Sequence, residues 1–286
     1  MRNKRDYHLE APTWCPGCGI FALFDALKTT AAAMDLDPEH MVVVTGIGCH
    51  GRLSNYFKAY GFHGLHGRVL PVAAGIKLSN PGLQVLGVSG DGDAYSIGLS
   101  HFIHALRKNI NLTYLVVDNR VYALTLGQTS PTSSLGFVSK STPYGSKEVP
   151  LDGIRMALAA GGTFLARGFS GQSSRLASLI ERGMKHKGFA LIEVLSPCVT
   201  QNKLYSYEWY KENVYLLEDD SSYDPRDRNH AWERLNAGGK IPVGLIYEES
   251  RPSYEELVLP KKEKPLVFND LKIDMPKFEN YLQKFR

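Results

Sequence analysis

Gln84-Val85-Leu86-Gly87-Val88-Ser89-Gly90-Asp91-Gly92-Asp93 is the stretch whose reading decides the fold. A short apolar run predicts a buried strand, and the Gly-Asp-Gly-Asp behind it predicts a turn at the strand's carboxyl end. The same grammar recurs on both sides. Met41-Val42-Val43-Val44-Thr45 is rich in β-branched residues and closes on Gly48-Cys49. Leu112-Thr113-Tyr114-Leu115-Val116-Val117 closes on Asp118-Asn119, and the run over 190–195 closes on Pro197-Cys198. Helices are predicted over 20–34, 71–78, 97–107, 151–160 and 173–185, with a further strand over 163–166. Continuous apolar strands alternating with helices imply an α/β fold, a parallel sheet with helices on both faces.

From Lys203 the chain changes character. It becomes richer in Tyr, Glu, Asp and Pro, with helical pieces expected over 209–217 and 230–236. Residues 1–202 therefore read as one ligand-binding domain and 203–286 as a C-terminal extension that packs on the core or on a partner. The chain has 286 residues, 43% hydrophobic and 22% charged, which suits a soluble globular protein. A net charge of +4 with no long basic tract argues against nucleic acid. No apolar run follows the basic start Met1-Arg2-Asn3-Lys4-Arg5, and none approaches membrane-spanning length. Four cysteines in so long a chain make a poor disulfide framework and fit a reducing cytoplasm.

In a parallel sheet all strand carboxyl ends lie along one edge, and ligands bind in the crevice outside it. Gly48-Cys49, Gly90–Asp93, Asp118-Asn119 and Pro197-Cys198 should therefore converge despite their separation in sequence. Glycines flanking Asp91 let the backbone turn sharply and approach a ligand closely. Asp91 offers a hard oxygen ligand suited to a magnesium ion that carries phosphates. Asn119 can supply a second oxygen and the Val121 carbonyl a third. A helix starting near Ile97 would turn its positive end toward the same region.

Cys15 and Cys18 lie in Trp14-Cys15-Pro16-Gly17-Cys18, while Cys49 and Cys198 follow predicted strands. Four thiolates suit zinc or an iron–sulfur cluster. A thioredoxin-like role for Trp14–Cys18 would need a core strand before it, and the preceding residues are polar. Structural zinc sites mostly use local ligand pairs, whereas two of these cysteines come singly from distant strand ends.

Gly90-Asp91-Gly92 followed by Asn119 resembles the diphosphate-binding motif of thiamine-diphosphate enzymes. Trp14–Gly19, Gly46-Ile47-Gly48-Cys49, Leu65-His66-Gly67-Arg68, Gly90–Asp93 and Gly127-Gln128-Thr129-Ser130-Pro131-Thr132 together resemble the β subunit of 2-oxoacid:ferredoxin oxidoreductases. The resemblance runs in order over about residues 12 to 200. It implies a thiamine-diphosphate-binding fold with magnesium held by Asp91, Asn119 and the Val121 carbonyl. Ile47, Gly48, Cys49, His50, His66, Gly92, Asp93, Ala123 and Leu124 would line the cofactor. Cys15, Cys18, Cys49 and Cys198 would hold a [4Fe–4S] cluster near the thiazolium. The implied partners are an α subunit that carries the activating glutamate, ferredoxin, coenzyme A and a 2-oxoacid, with the cofactor rather than any side chain performing the chemistry.

Three positions depart from the family's habit. Asp118 stands where Asn is frequent, Ala123 where Gly is frequent, and Leu126 occupies a variable position facing the expected substrate space. Two other classes are weighed. A non-redox thiamine-diphosphate decarboxylase or synthase would need no cysteine constellation, and a non-catalytic iron–sulfur electron-transfer subunit would have no use for Gly90–Asp93 with Asn119. The expected activity is coenzyme A-dependent oxidative decarboxylation of a 2-oxoacid.

Overall fold

The computed structural model describes residues 2–259, 265–270 and 272–285. Its strands are β1 (Met41–Thr45), β2 (Tyr60–His63), β3 (Gln84–Gly90), β4 (Leu112–Asp118), β5 (Phe164–Phe169), β6 (Phe189–Leu195), β7 (Val214–Leu216) and β8 (Ile241–Glu248). The helices are α1 (Ile20–Ala33), α2 (Leu53–Tyr56), α3 (Val69–Ser79), α4 (Leu99–Lys108) and α5 (Gly153–Ala159). They continue with α6 (Ser173–Lys185), α7 (Tyr207–Asn213), α8 (Arg228–Asn236), α9 (Tyr254–Val258) and α10 (Met275–Gln283).

All eight strands form one sheet in the order β2-β1-β3-β4-β6-β5-β8-β7. The six from β2 to β5 are parallel, and β8 joins β5 antiparallel. Successive side chains point to opposite faces, which explains the apolar density of the central strands. Val43, Leu86, Val88, Leu115 and Val117 pack beneath α1 and α6. Val42, Val44, Val85, Tyr114 and Val116 pack beneath α3, α4, α5 and α8. The carboxyl edge is stitched beyond the strands by Gly46 N–H to Val88 O at 3.2 Å and Ser196 N–H to Asp118 O at 2.9 Å.

The structure adds three strands to the expectation. β2 is an edge strand whose four residues are all exposed, so it lacks the apolar run that marks its neighbours. The helix expected through 217 ends at Asn213, where Val214 starts β7. Most of β8 is buried, but Pro242 and Gly244 interrupt its pattern. Pro242 lies outside the pairing with β5, which covers Gly244 to Glu248, and stands opposite Tyr215 of β7. Helix α4 begins at Leu99, after a π-type turn over Asp93–Ile97. The extension contributes a cluster of its own, in which Tyr205, Tyr210, Val214 and Val243 pack on Phe169 and Leu195.

Candidate active site

The carboxyl ends of β1, β3 and β4 open into a pocket of about 250 Å3. Its wall holds Ile47, Gly48, Cys49, His50, His66, Gly92, Asp93, Ala123 and Leu124 together with Asp91, Asn119 and Val121. Every residue expected at the cofactor or magnesium thus borders one cavity. Gly90, Tyr122 and Thr125 complete the lining.

Asp91 is buried at the end of β3, and its Oδ2 accepts from Ser130 Oγ at 2.5 Å and Thr132 Oγ1 at 2.6 Å. Thr132 Oγ1 also lies 2.9 Å from Oδ1 of Asp118, likewise buried. One hydroxyl has one proton, so it cannot donate to two carboxylates at once. Burial pushes Asp91 up to about 6, against the pull of the two hydroxyls. Burial and then the charge of Asp91 push Asp118 up to about 6, with Arg120 opposing. This wall is short of positive charge.

Asn119 closes an Asx turn, its Oδ1 accepting from Val121 N–H at 3.2 Å. Arg120 between them sits at φ 59°, in the left-handed region. Asn202, the last residue of the first domain, and Tyr205, at the start of the extension, hold this turn from behind. Asn202 Nδ2 donates to the Asn119 carbonyl at 3.0 Å, and the Arg120 guanidinium lies 4.2 Å over the Tyr205 ring.

On the opposite wall, Gly90 N–H donates to His50 Nε2 at 3.0 Å, which requires that nitrogen unprotonated. Burial pushes His50 down to about 4, so it is neutral at physiological pH. Asp93 is an organiser: Oδ1 accepts from Gly67 N–H at 2.7 Å and Oδ2 from Ser89 Oγ at 2.5 Å. His66 Nδ1 lies 3.0 Å from Asp93 Oδ1, but not in line for a hydrogen bond.

The four cysteines are all free thiols, Cys15 exposed and Cys198 buried. A turn closed by Cys18 N–H to Cys15 O at 3.0 Å shapes the first pair. Gly19 N–H to Pro197 O at 3.2 Å and Trp14 Nε1 to Cys49 O at 2.7 Å dock that turn on the sheet edge. Burial pushes the Cys18 thiol up to about 11, with further increments from Cys198, Cys49 and Cys15. Cys49 is raised by burial, then by Cys198 and Cys15. Among the described residues no three His, Cys, Asp or Glu side chains converge as ligands of a single ion.

A slightly larger cavity of about 290 Å3 lies beyond β4, at the ends of β6 and β5. Its charges largely pair with one another, as in Arg167 with Glu193 at 2.6 Å and with Asp152 at 3.1 Å. It contains no cysteine and no Gly-Asp-Gly turn.

Residues 46–194 match the family described as thiamine pyrophosphate enzyme, C-terminal TPP binding domain. Residues 198–263 match the family of the C-terminal part of the pyruvate ferredoxin oxidoreductase beta subunit. The 2-oxoacid:ferredoxin oxidoreductase 2 subunit beta of Aeropyrum pernix is 39% identical, over 89% of this chain and 86% of its own. The corresponding subunit beta of Saccharolobus solfataricus is 38% identical over 93% and 91%. The chain belongs to the 2-oxoacid:ferredoxin oxidoreductase β-subunit family. A solved 2-oxoglutarate:ferredoxin oxidoreductase from Magnetococcus marinus, with 2-oxoglutarate, coenzyme A and succinyl-CoA bound, superposes at a TM-score of 0.90. It is 35% identical, over 98% of this chain and 96% of that one.

The thiamine-binding match ends before the C-terminal match begins, yet β8 of the second completes the sheet of the first. Sequence reasoning gave no role to Ser130, Thr132 and Tyr122, or to Asn202 and Tyr205. Ser130 and Thr132 stood in the quoted Gly127–Thr132 stretch, but nothing in it says that their hydroxyls reach Asp91. Arg52 and Arg68, two cations near this edge, are engaged locally: Arg52 donates to Thr13 Oγ1 at 2.7 Å and Arg68 to the Gly67 carbonyl at 3.2 Å. Leu126 is exposed and sits at φ 78°, a strained position for a leucine.

Proposed function

We propose that this β subunit binds thiamine diphosphate through magnesium, beside a [4Fe–4S] cluster. The enzyme it serves converts a 2-oxoacid and coenzyme A to acyl-CoA and carbon dioxide, and two electrons pass singly to ferredoxin. The observation that carries the reading is that one cavity wall holds the buried Asp91 with the Asn119 turn while the facing wall holds Cys49.

The donor set fits the cation. Asp91, Asn119 Oδ1 and the Val121 carbonyl are hard oxygens, and a carboxylate raised to about 6 by burial is one that a dication would relieve. The thiols fit a group that takes them as thiolates, since burial and the neighbouring sulfurs raise Cys18 and Cys49 in its absence.

When bound, thiamine diphosphate supplies the carbanion and electron sink for decarboxylation, and the cluster a one-electron acceptor. The chain's own residues bind, orient and exclude water. Asp91, Asn119 and Val121 anchor the diphosphate end. Ile47, Gly48, Cys49, His50, His66, Gly92, Asp93, Ala123 and Leu124 shape the walls, and neutral His50 braces the Gly90 backbone. We assign no nucleophile or proton carrier to this chain. No glutamate borders the pocket, so the activating glutamate is assigned to the α subunit. Residues 1–202 are taken as the cofactor and cluster domain, and 203–286 as the extension. No helix of the described residues is long and apolar enough to cross a membrane, and we place the enzyme in the cytoplasm, where thiols stay reduced.

The test is anaerobic co-expression with the α partner, followed by measurement of iron, sulfide and bound thiamine diphosphate. Asp91→Ala is expected to lose the thiamine cofactor and keep the iron. A colourless zinc-loaded complex without thiamine diphosphate would sink the reading, and an active Asp91→Ala enzyme would sink the magnesium assignment.

A further inference from the structure

We propose that Ser130 and Thr132 are positioning residues that set the face Asp91 presents to the divalent cation. The proposal rests on Asp91 being a magnesium ligand.

A carboxylate turns easily about its last side-chain bond. Here both hydroxyls donate to the same oxygen, Oδ2, at 2.5 and 2.6 Å, which fixes the plane of the carboxylate and leaves Oδ1 free of both. Neither Ser130 nor Thr132 borders the pocket, so they act from behind Asp91 rather than as ligands.

The clamp is itself held. Ser130 N–H donates to Ser133 Oγ at 2.8 Å, and Ser133 Oγ donates to the Arg120 carbonyl at 2.7 Å, inside the Asn119 turn. Pro131 stiffens the chain between the two hydroxyls. Ser130, Thr132 and Ser133 are all buried, with Thr132 at the edge of the neighbouring cavity. Asp118 Oδ1 lies 2.9 Å from Thr132 Oγ1, whose one proton is given to Asp91, so an ionised Asp118 gains no bond from that hydroxyl. Through Ser133 the clamp joins the β3 and β4 halves of the cation site.

The experiment titrates thiamine diphosphate into the assembled, iron-loaded αβ complex at graded magnesium concentrations, using calorimetry. Thr132→Val keeps the shape and removes the hydroxyl, whereas Thr132→Ser keeps the hydroxyl and removes the methyl. Loss of a charge-assisted hydrogen bond predicts that Thr132→Val needs about ten- to hundredfold more magnesium for half-saturation, with iron content unchanged. Thr132→Ser is expected to stay within about threefold of the unmodified complex. A packing role predicts the reverse order, and that result, or an unchanged Thr132→Val, overturns the proposal. If Thr132→Val does not assemble, Ser130→Ala decides: about tenfold weakening supports the clamp and none overturns it. Binding by the unmodified complex that ignores chelation of magnesium overturns the Asp91 reading itself, a failure distinct from that of the clamp.

Discussion

Asp91 and Asp118 bring two carboxylates into a wall whose nearest countercharge, Arg120, stands 3.9 Å from Asp118. With Asp91 at about 6, a proton would compete below neutrality with the magnesium proposed there. Magnesium-dependent cofactor affinity is expected to be flat above about pH 7 and to fall about tenfold per unit below about pH 6. Calorimetry at about pH 5.5 and 7.5 checks this, and equal affinities would refute it. Without the cation the sign for stability is opposite. The native carboxylate keeps a proton that the unfolded chain releases near 3.8, so this group's contribution declines as pH rises toward about 6. At this scale Asp91 and Asn119 were legible because their residue types follow predicted strands. The hydroxyls of Ser130 and Thr132 were not, since they reach Asp91 across separations of 39 and 41 residues.

The turn after β3 corrects the reason for its glycines. Gly92 has φ −66° and is helical, so left-handed freedom is not what it supplies. A Cβ there would stand 2.1 Å from the Tyr122 ring, which closes on the turn with its hydroxyl 3.3 Å from the Gly92 carbonyl. Gly92→Ala is therefore expected to push Tyr122 off the pocket wall, costing about 1–3 kcal/mol of stability and weakening cofactor binding by at least about tenfold. Thermal unfolding and cofactor titration on the assembled complex would measure both, and a variant unchanged in each would contradict the argument. Gly48 is different: at φ 148° and with a Cβ position 2.7 Å from the His50 ring, it needs both the backbone freedom and the space. The Gly-Asp-Gly spelling announced an important turn, while the ring that makes it glycine-dependent comes from the loop after β4.

Across the whole molecule, the extension is part of the structure that holds the site. β8 pairs with β5 and buries Val243, Leu245, Ile246 and Tyr247, and Tyr205 stacks on Arg120 in the Asn119 turn. A fragment ending at residue 202 would leave β5 as an unpaired apolar edge, so it is expected to aggregate or to unfold without cooperativity. A soluble fragment with a sharp thermal transition would show that the extension is dispensable for folding. The parallel strand–helix order, the edge on which the motifs lie and the family were determined by the sequence alone, because apolar periodicity and short motifs are local properties that survive without coordinates. The antiparallel pairing of β8 with β5, the hydroxyl contacts on Asp91 and the burial of Cys18 and Cys49 were decided only by the tertiary structure. Strand pairing, proton sharing and burial depend on which distant residues meet, and in β8 the Pro and Gly that obscured the strand are permitted only by the place it takes in the sheet.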